Sequence, residues 1–298
     1  MRSFVQVSIL GVVAGGVYAL LAFGIVLIHR VSGVLNFAHA TLAMTCTWCF
    51  FYLSDQDSGL GIPTPAGLLG TVALGFVFGY VLNRVLFVRM ANEAVTKVLA
   101  TLWVAGLLAQ ALFPVVQGVV PAQLATTLPP VNVKIAGAGV ALQQLAVVVL
   151  AVAVALVAHL VLKKTMAGVA TRASAQNAPV AELMGVDTLK VTSIAWGVAV
   201  ASAAAAGALV VPFTYLDLGS LADSLLRAIA ASLLAGLVDL RLAVGAALFI
   251  GWAEAQLLAL GPPFSGAASL IVSVIVLAVL LVGPDRFVLS RYEKLGPA

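Results

Sequence analysis

A chain of 298 residues that is 63% hydrophobic and only 9% charged holds too few charged side chains to cover a water-soluble surface of its own. Its mean hydropathy is +1.17, and its apolar runs exceed the ~20 residues needed to cross a bilayer, so the expected fold is an all-α, polytopic transmembrane helical bundle rather than a barrel of alternating strands. The net charge of +4 comes from Lys and Arg scattered between apolar runs, which argues against nucleic acid as a partner and reports topology instead.

Membrane spans are expected at about Val5 to Ile28, Leu35 to Leu53, Ala66 to Val88, Thr96 to Val119, Val140 to Leu162, Val191 to Val211, Leu221 to Val238, Leu242 to Leu260 and Ala267 to Val282. The first run is longer than the core of a cleaved signal peptide and reads as a retained span. The weakest is Leu221 to Val238, which carries Asp223 and Arg227 and reads either as a span or as a re-entrant or broken helix, giving about eight or nine spans in one transmembrane domain, residues 1–298. If the polar loop Lys163 to Lys190 is cytoplasmic, alternation brings Arg30, Arg84, Arg89, Lys97, Arg241, Arg286, Arg291 and Lys294 to the same side. That satisfies the positive-inside rule and puts the amino terminus outside. An inverted repeat is compatible with this order, because the two halves start in opposite directions and a Gly-containing turn, Gly33 to His39 or Leu218 to Asp223, follows the first span of each.

Small residues four apart, Gly11 with Gly15, Gly75 with Gly79 and Ala203 with Gly207, permit close helix contact. After the first span comes Gly33-Val-Leu-Asn36-Phe37-Ala38-His39-Ala40, in which Asn36 and His39 are three apart and are expected on one helix face, either tying helices together or meeting a solute. Cys46 and Cys49 lie inside an apolar helix with no second pair to complete a thiolate site, and read as packing residues. Trp48, Phe50, Phe51 and Tyr52, and later Phe213 and Tyr215, read as interfacial belts.

The loop Lys163 to Lys190 is expected to be structured as helix, break, helix. Thr171 to Gln176 would form one turn, Pro179 suits the start of a second, Gly185 can close it in a left-handed cap, and Asp187 or Thr188 can cap the next span. A solvated connector is the alternative. Asp223 and Arg227 stand four apart and are expected to pair, as a structural ion pair or in ligand binding, and Glu254 stands alone in its span as a functional carboxylate or a helix staple. There is no Gly-x4-Gly-Lys-Ser/Thr loop, no His-Glu-x2-His and no Gly-x-Ser-x-Gly, so the chain itself carries no recognised means of holding ATP phosphates and no catalytic constellation.

These segments occur in the order found in the permeases of branched-chain amino acid ABC importers, the Liv type, which the chain resembles over most of its length. The stretch Gly33 to Ala40 resembles the family's Gly-x-x-Asn-Phe-Ala-His-Gly, departing at Ala40. Arg172-Ala173 and then Ala181, Leu183, Gly185 and Val186 resemble its cytoplasmic loop, and Arg227-Ala228 and Ala253-Glu254-Ala255 follow in turn. Ala235-Gly236 stands where the family has a double glycine, and Val238 to Arg241 replaces its Gly-rich turn. The resemblance implies a transmembrane permease subunit, not an enzyme, in a bacterial-type cytoplasmic (inner) membrane. It needs no cofactor of its own, since partner ATP-binding-cassette subunits hydrolyse ATP. It implies a second, diverged permease, two such ATPases and an extracytoplasmic solute-binding protein, with branched-chain or related small amino acids or amides as cargo. Arg172, Ala173, Ala181, Leu183 and Gly185 would couple to an ATPase, and Asn36, His39, Asp223, Arg227 and Glu254 would line the substrate pathway. The rival reading is an ATP-independent secondary transporter or channel for a small solute.

Overall fold

A computed structural model describes residues 4–33, 35–55, 59–87, 131–135, 138–213 and 221–261, together with positions 104, 106 and 274. Among the described residues the chain forms α1 (Phe4–Ser32), α2 (His39–Ser54), α3 (Thr64–Leu82), α4 (Leu142–Lys164), α5 (Met166–Gln176), α6 (Ala178–Leu183), α7 (Thr188–Val210), α8 (Ala222–Leu234) and α9 (Leu240–Ala259). Of these, 5 are long and apolar enough to cross a membrane: α1, α3, α4, α7 and α9. This is a polytopic helical membrane bundle. Among the described residues the strands are those of a hairpin, β1 (Asn132–Ile135) and β2 (Ala138–Ala141), which runs straight into α4. The expected spans Thr96 to Val119 and Ala267 to Val282 lie outside the described residues, apart from isolated positions.

The most apolar window of α7 is 78% buried and that of α1 67%, against 17% for α4, so α1 and α7 form the centre and α4 the margin. The central pair is antiparallel: Ser202 Oγ in α7 donates to the carbonyl of Leu20 at 3.3 Å, and Gly24 lies against the carbonyl of Ala199. Each central helix then packs on a helix from the other half of the chain. Gly11 and Gly15 of α1 meet Trp252, Gly251 and Leu248 of α9, where a Cβ on Gly15 would come within 2.8 Å of the Leu248 Cα. Gly75 and Gly79 of α3 meet Val200, Ala201 and Trp196 of α7, where a Cβ on Gly79 would come within 2.5 Å of the Trp196 carbonyl oxygen. Lipid gives no hydrophobic drive for helix association, so this backbone-to-backbone approach is what holds the pairs by dispersion. The short helices follow the same exchange: α2 packs on α7 and α3, and α8 on α1 and α9.

The last turn of α3 widens into a π-turn, Asn83–Phe87, at the point where Asn83 Nδ2 donates to Thr192 Oγ1 at 3.1 Å and Ser193 Oγ at 2.9 Å in α7. One end of the bundle gathers Arg30, Arg84, Lys163, Lys164, Arg172, Lys190 and Arg241, while Lys134 sits with the opposite end on β1.

Three local expectations give way to the structure. The span expected from Leu35 begins only at His39, and Asn36 precedes the helix instead of sharing a face with His39: its Oδ1 accepts from the Ala38 N–H at 3.0 Å in an Asx turn. Of the two readings of Leu221 to Val238 the full span gives way: the segment holds a helix of 13 residues, about 20 Å long and short of the ~30 Å apolar thickness, in keeping with the re-entrant or broken helix. At the basic end the carbonyls of Leu237 and Val238, which follow α8, accept from His29 Nδ1 at 3.3 Å and Arg30 Nη1 at 3.4 Å. Finally, Trp48, Phe50 and Phe51 are buried in the core, and of that belt Tyr52 alone is exposed.

Replacing Gly251 by Val should drive a side chain into the backbone of Gly11 and Gly15 and destabilise the bundle by ~1–3 kcal/mol, read as a lower thermal unfolding midpoint in detergent. Gly245→Val, whose added carbon meets nothing within 4 Å, should leave the midpoint nearly unchanged. Equal midpoints would contradict the packing.

Candidate functional site

A charge inside a bilayer is tolerated where a partner meets it, so the charged residues inside the bundle mark its chemistry. Arg227 on α8 and Glu254 on α9 are brought together from 27 positions apart: Arg227 Nε lies 2.9 Å from Oε1 and 2.7 Å from Oε2 of Glu254, and Nη2 also contacts Oε1. Their side chains are 15% and 11% exposed. Asp223 is not the partner. It is an exposed residue, and Arg227 Nη1 takes its main-chain carbonyl at 2.8 Å. Four-residue spacing on α8 permits the ion pair expected from sequence, but a carboxylate on a facing helix offers a bidentate partner away from solvent.

The third member is Tyr18 of α1, which the sequence reading missed. Its hydroxyl donates to Glu254 Oε2 at 3.2 Å, and its ring lies 5.6 Å from the Arg227 guanidinium carbon. A signal was present: Gly11, Ala14 and Tyr18 recur at helical spacing on one face of α1. Tyr18 and Glu254 also line a cleft of about 550 Å³ between α1 and α9, with Val7, Leu10, Ala14 and Leu258 lining it toward the end opposite the basic one. At that end Ser8 Oγ accepts from Trp252 Nε1 at 3.1 Å and Gln256 Nε2 at 2.8 Å, fastening α1 to α9.

Asn36 and His39 lie elsewhere, at the broken start of α2 near the basic end, 1% and 0% exposed. The His39 ring rests directly on Gly24, where no Cβ would fit. Neither ring nitrogen, nor Nδ2 of Asn36, has a hydrogen-bond partner among the described residues. Buried polar groups left so cost about 1–3 kcal/mol each.

The loop folds as helix, break, helix, although its first helix is longer than the expected turn. Thr165 caps α5 by accepting from the Gly168 N–H at 3.3 Å, and Asn177 breaks the chain and caps α6 by accepting from Val180 at 3.2 Å. Gly185 closes α6 at φ +84°, with the Val186 N–H bonded to the Ala181 carbonyl at 3.0 Å. Asp187 then accepts from the Lys190 N–H at 2.8 Å at the start of α7. The family-like residues divide by direction. Ala181 is buried and Arg172 turns back to the Leu162 carbonyl, whereas Leu183 and Gly185 face outward and Ala173 is half-buried.

Membrane-crossing helices around a mid-depth ion pair and an open cleft define a membrane transport protein. The family described as branched-chain amino acid transport system / permease component matches residues 8–282, and the chain belongs to that family. It is therefore a transport subunit and not an enzyme. The chain is similar to the protein "High-affinity branched-chain amino acid transport system permease protein LivH" of Escherichia coli (strain K12), at 24% identity over 293 residues covering 94% of each chain. It is equally similar to the protein of that name from Salmonella typhimurium (strain LT2), at 24% over 293 residues and 94% of each. No solved structure matches it.

Breaking the ion pair from either side leaves a charge unmatched in low dielectric, so Arg227→Met and Glu254→Leu should each cost ~3 kcal/mol. Their combination should cost less than the sum by ~2 kcal/mol. A double-mutant cycle on thermal unfolding of the purified protein measures this, and strict additivity would contradict the pair.

Proposed function

We propose that this chain is one of two membrane subunits of an ATP-driven importer for branched-chain or related small amino acids or amides, working with a second, diverged permease, two ATP-binding-cassette ATPases and an extracytoplasmic solute-binding protein in a bacterial-type cytoplasmic membrane. The basic end faces the cytoplasm and the cleft faces out, in keeping with the positive-inside rule. In this reading α8 is part of a broken crossing.

Its two halves, α1 to α3 and α7 to α9, form an inverted repeat. Support comes from the paired contacts: α1 meets α9 as α7 meets α3, and α1 meets α8 as α7 meets α2. Even the polar details correspond, with Thr47 of α2 seated on Gly207 of α7 and Ser232 of α8 donating to the Ala22 carbonyl of α1 at 3.4 Å. Because each half packs on the other through glycine, the chain moves as one body against its partner permease. Arg227 and Glu254 line the solute path at mid-depth with Asp223 beside them, and Asn36 and His39 lie on its cytoplasmic side. There, buried unpartnered polar groups suit a site that gains its hydrogen bonds from a solute or from another conformation.

The observation that carries the coupling role is the tip of the α5–α6 hairpin. Leu183 is 88% and Met184 80% exposed, outside the apolar runs, where each forgoes about 1.5–3 kcal/mol of burial. That surface seats in a groove of an ATPase, and the two tethered helices transmit its movement.

Leu183→Asp should preserve the fold and weaken ATPase co-purification about tenfold, ~1.4 kcal/mol, with parallel loss of ATP-dependent leucine uptake in proteoliposomes. Gly185→Val, strained at its positive φ by ~1–3 kcal/mol, should act in the same direction. Uptake without ATP, or unchanged co-purification with both variants, would contradict this reading. For orientation, Ala175→Cys on exposed α5, in a background lacking Cys46 and Cys49, should react with an impermeant maleimide only after cells are opened. Labelling of intact cells would reverse the assignment.

A further inference from the structure

We propose that the basic end of the α3–α7 crossing is a binding site for an anionic phospholipid, whose phosphate sits between Arg84 and Lys190 and whose acyl chain lies along Val77, Val81 and Ile194. The site goes beyond the transport reading and does not depend on which solute is carried.

The register of the two helices brings the cations together. Phe76 of α3 packs on Gly197 of α7, where an added Cβ would come within 2.9 Å of its ring, and Asn83 reaches Thr192 and Ser193. Phe76, Tyr80 and Arg84 follow at four-residue spacing along one edge of α3, and Gly197, Ile194 and Lys190 at helical spacing along the facing edge of α7. Arg84 therefore stands level with Lys190 in this antiparallel pair, and both are exposed.

Two like charges side by side repel unless an anion joins them. Neither Arg84 nor Lys190 forms an ion pair among the described residues. The carboxylates near them in sequence are engaged: Asp187 accepts from the Lys190 main-chain N–H at 2.8 Å, and Glu182 accepts from Thr188 Oγ1. Lys190 also occupies the first turn of α7, where the helix dipole favours negative charge.

Arg84 is aimed in advance. Its Nη1 donates to the Tyr80 hydroxyl at 3.2 Å, its guanidinium carbon lies 6.0 Å from the Tyr80 ring centre, and that ring stacks on Phe76 at 6.3 Å. The guanidinium is thus fixed at the helix edge with N–H groups left to donate to phosphate. Toward the middle of the bundle the same crossing exposes Val77, Val81 and Ile194. Cations set above an aliphatic groove fit one molecule that carries both a phosphate and an acyl chain. A free phosphate or an acidic protein segment would leave the groove uncovered, and a choline headgroup would bring a further cation beside the pair.

The purified full chain in uncharged detergent is titrated with phosphatidylglycerol or with phosphatidylcholine of the same acyl chains, and bound lipid is counted by native mass spectrometry. Phosphatidylglycerol should bind about tenfold more tightly, and inorganic phosphate should not displace it. Tyr80→Phe, which leaves every charge in place, should weaken that binding severalfold. Arg84→Gln combined with Lys190→Gln should abolish the preference, whereas Lys163→Gln combined with Lys164→Gln, at the same end on α4, should retain it. Equal affinity for the two lipids, or displacement by inorganic phosphate, would overturn the proposal on the unsubstituted protein. Equal loss in the two double variants would overturn it as well, by reducing the site to diffuse charge.

Discussion

The structure depends on the contact of backbone with backbone where α1 crosses α9 and α3 crosses α7. A bilayer offers helices no hydrophobic reason to associate, so a bundle holds only where main chains come close enough for dispersion to accumulate over many atoms. Gly11, Gly15 and Gly251 on one side and Gly75 and Gly79 on the other leave no room for a Cβ. Because each crossing joins a helix of the first half to one of the second, the halves interlock, and α1 and α7 become the buried centre.

That centre makes the irregular parts tolerable. The breaks before α2 and after α8 expose main-chain groups that hydrocarbon could not satisfy, and both are lined by protein: Asn36 caps the Ala38 N–H, and His29 and Arg30 reach the carbonyls of Leu237 and Val238. Leu237 itself sits at φ +56° beside Gly236 at +64°, in the turn between α8 and α9. The charged cluster draws its members from α1, α8 and α9, so one face of the bundle carries polar chemistry at mid-depth.

Much of this was legible in the sequence. Apolar length located the long helices, four-residue spacing of small residues located the crossings, and the loop's Pro179, Gly185 and Asp187 forecast its breaks and caps because those residues act through their own backbone. What was not legible depended on partners distant in sequence. Arg227 seemed matched to Asp223 because the two are neighbours on one helix, and only the packing of α8 on α9 supplies Glu254. Tyr18 carries no charge to draw notice in an apolar run. Trp48, Phe50 and Phe51 resemble an interfacial belt until the burial of α2 against α7 makes them core, and Asn36 takes the turn conformation its side chain stabilises instead of extending the helix.

The central claim is that the interlocked halves move as one body, so that conformational change occurs between permease subunits and not within this one. Spin labels at Leu69 on α3 and Phe249 on α9, both exposed and in different halves, report it directly by pulsed dipolar spectroscopy on the transport-competent complex. The account predicts the same distance distribution without nucleotide, with ATP and in the vanadate-trapped state, while labels on the two different permeases change their separation. A shift of the Leu69–Phe249 distribution between those states would contradict it.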